Sequence, residues 1–227
     1  MSTLLLRLAA PLQSWGSDAK FERRGTERVP TKSGVIGMIA AALGRRRSES
    51  VEDLLRLRFG VRVDREGTLL RDFHTARRDK LAYVTYRYYL ADAVFLVGLE
   101  GTDEELTVID RALCQPAYPL FLGRRSCPPE GRVSLGIRFG KPLLAALQDE
   151  PLLTDRVASY LRFVYDADPG DSRAYLQRDL PLSFDSAHRK HGFRRIAEKT
   201  MTVDTAVGDR RLEPVTDHDP FVGLEDD

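Results

Sequence analysis

The densest reactive chemistry of the chain lies between Pro119 and Pro129. There Leu120, Phe121 and Leu122 run into Gly123, Arg124, Arg125, Ser126 and Cys127, and two prolines close the stretch. The apolar run anchors in a core, Gly123 permits backbone angles closed to other residues, and the prolines stiffen the exit. Two guanidinium forks and freed backbone N–H groups then project from a rigid turn, which suits phosphates. The same residues also fit an ordinary surface turn with two solvated arginines.

Further basic and aromatic residues cluster upstream. The polar loop from Lys20 to Lys32 carries Arg24 and Arg28 and leads into Thr31-Lys32-Ser33-Gly34. A hydroxyl cap there starts a helix whose positive dipole end, with Lys32 and Ser33 beside it, suits an anion. It is not a nucleotide-binding P-loop: Pro30-Thr31 stands where a glycine must precede the lysine, and the spacing from Gly25 is one residue too long. Gln13 and Trp15 form a polar turn after an apolar run. Trp15 either stacks on a base or caps the core. From Leu69 to Tyr89, basic residues interleave with aromatics at strand-like alternation, with His74, Arg77, Arg78 and Tyr86 as candidate contacts. That pattern fits nucleic-acid backbone contacts plus stacking, and equally a structural tyrosine-rich hairpin.

The elements that position these groups are legible as a series. Thr3–Ala10 reads as a buried strand, residues 31–44 as an Ala-rich helix stopped by Gly44, and Val51–Leu57 as a short helix. Phe59–Asp64 alternates as a strand. Leu90–Leu99 reads as the clearest buried strand. Thr102 and Glu105 form a capping box for a helix running to about Cys114, and Val133–Phe139 reads as another strand. The order strand, helix, strand, strand, helix, strand gives an α+β, ferredoxin-like (RRM-like) β-α-β-β-α-β domain over 1–140, with a projecting hairpin at about 70–89. Residues 141–214 read as a smaller β-rich extension, with strands expected at 162–165, 182–184 and 193–196. Residues 215–227 read as a frayed acidic tail.

The 227 residues suffice for a real core, and 42% hydrophobic with 30% charged residues is ordinary globular composition. No apolar run approaches the roughly 20 residues that span a bilayer, and the N-terminus lacks a cleavage-site pattern, so a cytoplasmic protein is expected. Cys114 and Cys127 have neither metal-ligand nor disulfide-framework spacing, and no cofactor or metal is expected. The net charge of +1 hides an asymmetry. Residues 1–147 hold 24 Lys+Arg against 17 Asp+Glu (+7), and residues 148–227 hold 11 against 17 (−6). A basic two-thirds fits a polyanion partner, and chance clustering of solvated charge fits as well.

Five motifs in order then carry a resemblance: residues 6–16 (LRLAAPLQSWG), 30–37 (PTKSGVIG), 71–75 (RDFHT), 89–93 (YLADA) and 122–128 (LGRRSCP). Together they resemble the CasD family, the subunit of the type I-E CRISPR Cascade complex that holds the 5′ end of the guide RNA. The resemblance implies a glycine-rich loop at Gly123–Cys127 and a thumb at Asp72–Tyr89, shorter here than the family pattern. It implies the 5′ handle of a CRISPR guide RNA, the Cascade backbone subunit and the large subunit as partners, with target DNA met indirectly through the complex. It also implies a filament-capping, non-catalytic role in antiviral defence.

Relatives in the type I-C system cut repeat RNA, so a metal-independent endoribonuclease is the main alternative. Such cleavage needs a general base, a general acid and a cation at the phosphate. Of the four histidines, His74 is the best acid/base candidate; His188 and His191 sit in a basic loop and His218 in the tail. A third reading is an assembly subunit for which RNA contact is incidental.

Overall fold

Leu4, Leu5, Leu6 and Leu8 are all fully buried, although alternate residues of a strand face opposite ways. The first strand must therefore lie inside a sheet covered on both faces. The computed structural model describes residues 1–16, 23–78, 81–155, 160–185 and 187–202, the side chains of Ala76, Arg78 and Leu81 excepted. Strand β1 (Ser2–Ala9) is flanked by β7 (Val94–Gly101) and β8 (Ser134–Arg138). With β4 (Arg58–Arg65), β9 (Tyr160–Asp166), β10 (Tyr175–Ser183) and β11 (Lys190–Thr202) they form one antiparallel sheet, ordered β10-β11-β9-β4-β7-β1-β8.

Leu4, Leu6 and Leu8 pack with α1 (Lys32–Ala42) and α3 (Asp103–Cys114) on one face. Leu5 and Leu96 pack with α4 (Leu143–Asp149) on the other. Both long helices start where local chemistry says they should. The Thr31 hydroxyl accepts the Gly34 N–H at 3.2 Å, and Thr102 and Glu105 form the expected reciprocal capping box. A short α2 (Glu52–Leu55) leads into β4.

A second, four-stranded sheet stands beside the first. Its central strand β6 (Leu81–Ala91) pairs with β5 (Thr68–Arg78), β2 (Leu12–Gln13) and, in parallel, β3 (Arg23–Arg24). The architecture is thus mixed α and β with antiparallel sheets.

Three expectations change. The apolar run 90–99 is two strands: Leu90 and Ala91 end β6, Asp92 turns the chain at φ +56°, and β7 begins at Val94. The one charged residue of the run, Asp92, makes the turn in a left-handed conformation that aspartate adopts more readily than most residues other than glycine. The strands after residue 140 form no sheet of their own, because β9 pairs with β4 and extends the main sheet. Helix α4 was not expected. The acidic tail at 215–227 lies outside the described residues.

Candidate nucleic-acid interface

Strands β5 and β6 pair without a break from Thr68↔Ala91 to Arg78↔Leu81. At about 3.3 Å per residue, the hairpin is on the order of 35 Å long. Period two and this register place Arg71, Phe73, Thr75 and Arg77 on one face with Tyr88, Tyr86, Val84 and Ala82. That face is open: Phe73 is 68% exposed and Val84 49%. The Arg71 guanidinium lies 5.3 Å from the centroid of the Tyr86 ring. Exposed rings beside cations on a rigid ribbon match what single-stranded nucleic acid needs, a stacking platform flanked by phosphate contacts.

The opposite face carries Asp72, His74, Thr85, Arg87 and Tyr89. His74 Nε2 lies 2.7 Å from Asp72 Oδ2, both side chains being partly exposed. His74 therefore does not share a face with Arg77 and Tyr86, although the three read as one cluster in the sequence. Arg71 and Phe73 were not singled out, and simple alternation counted back from Arg77 finds both. The Arg78 side chain lies outside the described residues.

The glycine-rich loop braces the base of this hairpin. Gly123 has φ +83°, and a Cβ there would come within 1.6 Å of the Ser14 carbonyl oxygen, so no other residue fits without moving the backbone. The Ser14 amide donates to the Leu122 carbonyl at 3.1 Å and its hydroxyl to the Tyr88 carbonyl at 3.1 Å. Arg124 turns inward: Nη2 donates to the carbonyls of Arg24 (2.8 Å) and Gly25 (3.3 Å), and the guanidinium stacks 4.7 Å from the Tyr89 centroid. Nη2 and the stacked face of its guanidinium are thus held by the fold, against the expectation of a freely projecting fork, while Nη1 has no hydrogen-bond partner among the described residues. Arg125 and Ser126 remain exposed, as do Arg24 on β3 and Arg28 beyond it. Cys127 is fully buried and burial pushes its thiol pKa up, so it belongs to the loop's framework.

Four other expected contacts are interior. Trp15 is fully buried, its Nε1 donating to Gln13 Oε1 at 3.2 Å and its ring lying against Gly34. Gln13 is also fully buried and donates to the carbonyls of Leu8 (3.2 Å) and Ala93 (2.8 Å). Neither presents a surface to RNA. Trp15 takes the core role because the small Gly34 lets the indole lie on α1.

Lys32 and Ser33 are also buried. The Lys32 ammonium donates to the Leu57 carbonyl at 2.7 Å and to Asp166 Oδ2 at 3.0 Å. Burial pushes its pKa below the ordinary lysine value, and the Asp166 carboxylate opposes that shift. The start of α1 does bind an anion, but a resident one: Asp179 Oδ2 accepts the Lys32 backbone N–H at 2.8 Å. Arg194 bridges Asp179 and Asp166 at 2.6 Å each. Part of the acidity of residues 148–227 thus lies inside the molecule, fastening β9–β11 to α1.

Residues 3–197 match the family described as CRISPR-associated protein (Cas_Cas5). The chain is 38% identical over 175 residues to the CRISPR system Cascade subunit CasD of Escherichia coli (strain K12), a match covering 66% of this chain and 78% of that protein. It resembles a chain of a solved CRISPR RNA-guided surveillance complex with TM-score 0.77 and 38% identity, over 88% of this chain and 90% of that one. A solved Cas protein matches with TM-score 0.72 and 41% identity, over 88% and 95% of the two chains.

Proposed function

The chain belongs to the CRISPR-associated Cas5 family, and we propose that it is a non-catalytic RNA-gripping subunit of a Cascade-type complex that acts in the cytoplasm. In this reading it holds the 5′ handle of the guide RNA, caps the backbone-subunit filament and contacts the large subunit, meeting target DNA only through the assembly. Similarity to the Cascade subunit CasD supports membership. The observation that carries the RNA role is the open hairpin face, on which Arg71, Phe73, Arg77, Val84 and Tyr86 stand together and exposed. The core supports a ferredoxin-like reading: β1, α1, β4, β7, α3 and β8 follow in chain order, and the strands lie side by side as β4-β7-β1-β8.

The His74–Asp72 contact gives the endoribonuclease reading its one foothold, since a carboxylate that orients an imidazole is a common acid/base arrangement. The non-catalytic reading rests on His74 facing away from the aromatic and basic face that would hold the RNA. Purification of the tagged chain with its neighbours, followed by sequencing of bound RNA, tests the function. A guide with one defined 5′ end is expected, and the absence of RNA would contradict the reading. Incubating the purified chain with repeat RNA in EDTA tests catalysis; site-specific cutting lost in His74→Ala would establish the nuclease instead.

A further inference from the structure

Between the segment that precedes α1 and the outer strands lies a cavity of about 120 Å³. Val29 and Pro30 stand on one side of it, and β9, β10 and β11 on the other. Its floor is buried: Val164 and Ile196 are apolar, and Asp179 and Arg194 are already joined to each other. Gln177 on β10 is different. Its side-chain amide lines the cavity, half-buried, with no hydrogen-bond partner among the described residues. Towards the mouth stand the exposed Arg28 and the half-buried Arg162, whose guanidinium donates to Glu66 at 3.0 and 3.1 Å. Glu66 lies between β4 and β5, so the cavity opens beside the root of the hairpin.

Size and chemistry together select a ligand. An apolar cavity of about 150 Å³ takes one benzene ring, and drug-sized ligands need about 300 Å³ or more. The space therefore fits one six-membered ring and not a fused pair. The free amide of Gln177 carries a donor and an acceptor side by side. Uracil offers a ring N–H beside a carbonyl, and cytosine an amino group beside a ring nitrogen, so either can pair with it twice. Apolar walls suit the faces of such a ring, and Arg28 suits the phosphate of a nucleotide.

We propose that this cavity receives one pyrimidine base, its edge against Gln177 and its phosphate beside Arg28. In the assembly that base belongs to a nucleotide turned out of the RNA strand bound on the hairpin. This last step rests on the RNA-binding reading above; the base site itself does not.

Nucleotide titrations of the full chain, followed by NMR, test the site. Uridine 5′-monophosphate should move the side-chain amide signals of Gln177 and the methyl signals of Ile196. Adenosine 5′-monophosphate and inorganic phosphate should leave both in place. Gln177→Met keeps the length of the side chain and removes the pairing, so it should weaken the uridine nucleotide about fivefold or more. No shift with the uridine nucleotide overturns the site. Equal shifts with the adenosine nucleotide overturn the pyrimidine assignment, and equal shifts with phosphate leave only an anion site and overturn the base. Single strands of about ten uridines or ten adenosines then test the RNA step. Gln177→Met should weaken the uridine strand about fivefold and leave the adenosine strand unchanged. Equal loss for both strands, or none, overturns that step and leaves the base site standing. If neither strand binds while the uridine nucleotide still moves Gln177, the RNA reading falls and the base site remains.

Discussion

Asp179 on β10 accepts the backbone N–H of Lys32, the first residue of α1, at 2.8 Å. A carboxylate 147 residues downstream therefore closes the helix N-terminus that a short basic motif leaves open to an outside anion. The same Asp179 receives the Arg194 guanidinium, which also holds Asp166, the partner of the Lys32 ammonium. This buried network of two cations and two anions joins the outer strands to the core.

Breaking the network from one side should be costly. Asp179→Ala leaves Arg194 with one partner fewer and the Lys32 amide with none, and removal of one member of a buried pair typically costs about 3–5 kcal/mol. Denaturant unfolding should show a loss of that size. Asp179→Asn, which can still accept from Lys32, should lose less.

The brace at the hairpin base gives a second test. Gly123→Ala brings a methyl group against the Ser14 carbonyl and demands φ +83° of a residue with a side chain. Left-handed strain alone is worth about 1–2 kcal/mol, and the clash adds to it. Unfolding should shift by more than about 2 kcal/mol, whereas Gly140→Ala, at φ +67° with open space around it, should show the strain alone.

Alkaline pH gives a third. Tyr175 donates its hydroxyl to Glu198; partial burial, that hydrogen bond and the nearby carboxylate push its pKa up to about 12. The folded chain thus keeps a proton that the unfolded chain releases near about pH 10. The contribution is complete below about pH 10 and lost as pH rises through about 12. Tyr175→Phe should flatten the stability profile in that window, and the late phenolate should disappear from the ultraviolet titration. An unchanged titration would contradict the assignment.

What the sequence makes legible is what short-range chemistry decides. Thr31 and Thr102 cap their helices within three residues of themselves, and the alternation of Leu69–Tyr89 marks a hairpin with its aromatics. Lys32 reads as a free cation because its partners, Asp166 and Asp179, lie far along the chain. Arg124 reads as a projecting fork because the Arg24 and Gly25 carbonyls that hold it come from another loop. Trp15 needs Gly34 opposite it to become a core residue, and the place of β9–β11 in the main sheet depends on pairing with β4, which has no local signature. Of the candidate site, the hairpin, Arg24, Arg28, Arg125 and Ser126 survive as surface; Gln13, Trp15, Lys32 and Ser33 do not.

The most direct test concerns that surface. The affinity of the chain for a guide-type RNA should be measured across a salt series for the unaltered protein and for Arg71→Ala/Arg77→Ala. Both side chains are exposed on a strand, so the fold should stand. Each arginine that neutralises a phosphate of a single strand adds about 0.7 to the steepness of log affinity against log salt, so removing both should make that slope shallower by about 1.4. Binding at low salt should weaken by about tenfold or more. Identical affinity and slope in the two proteins would contradict the hairpin face as the RNA-binding surface.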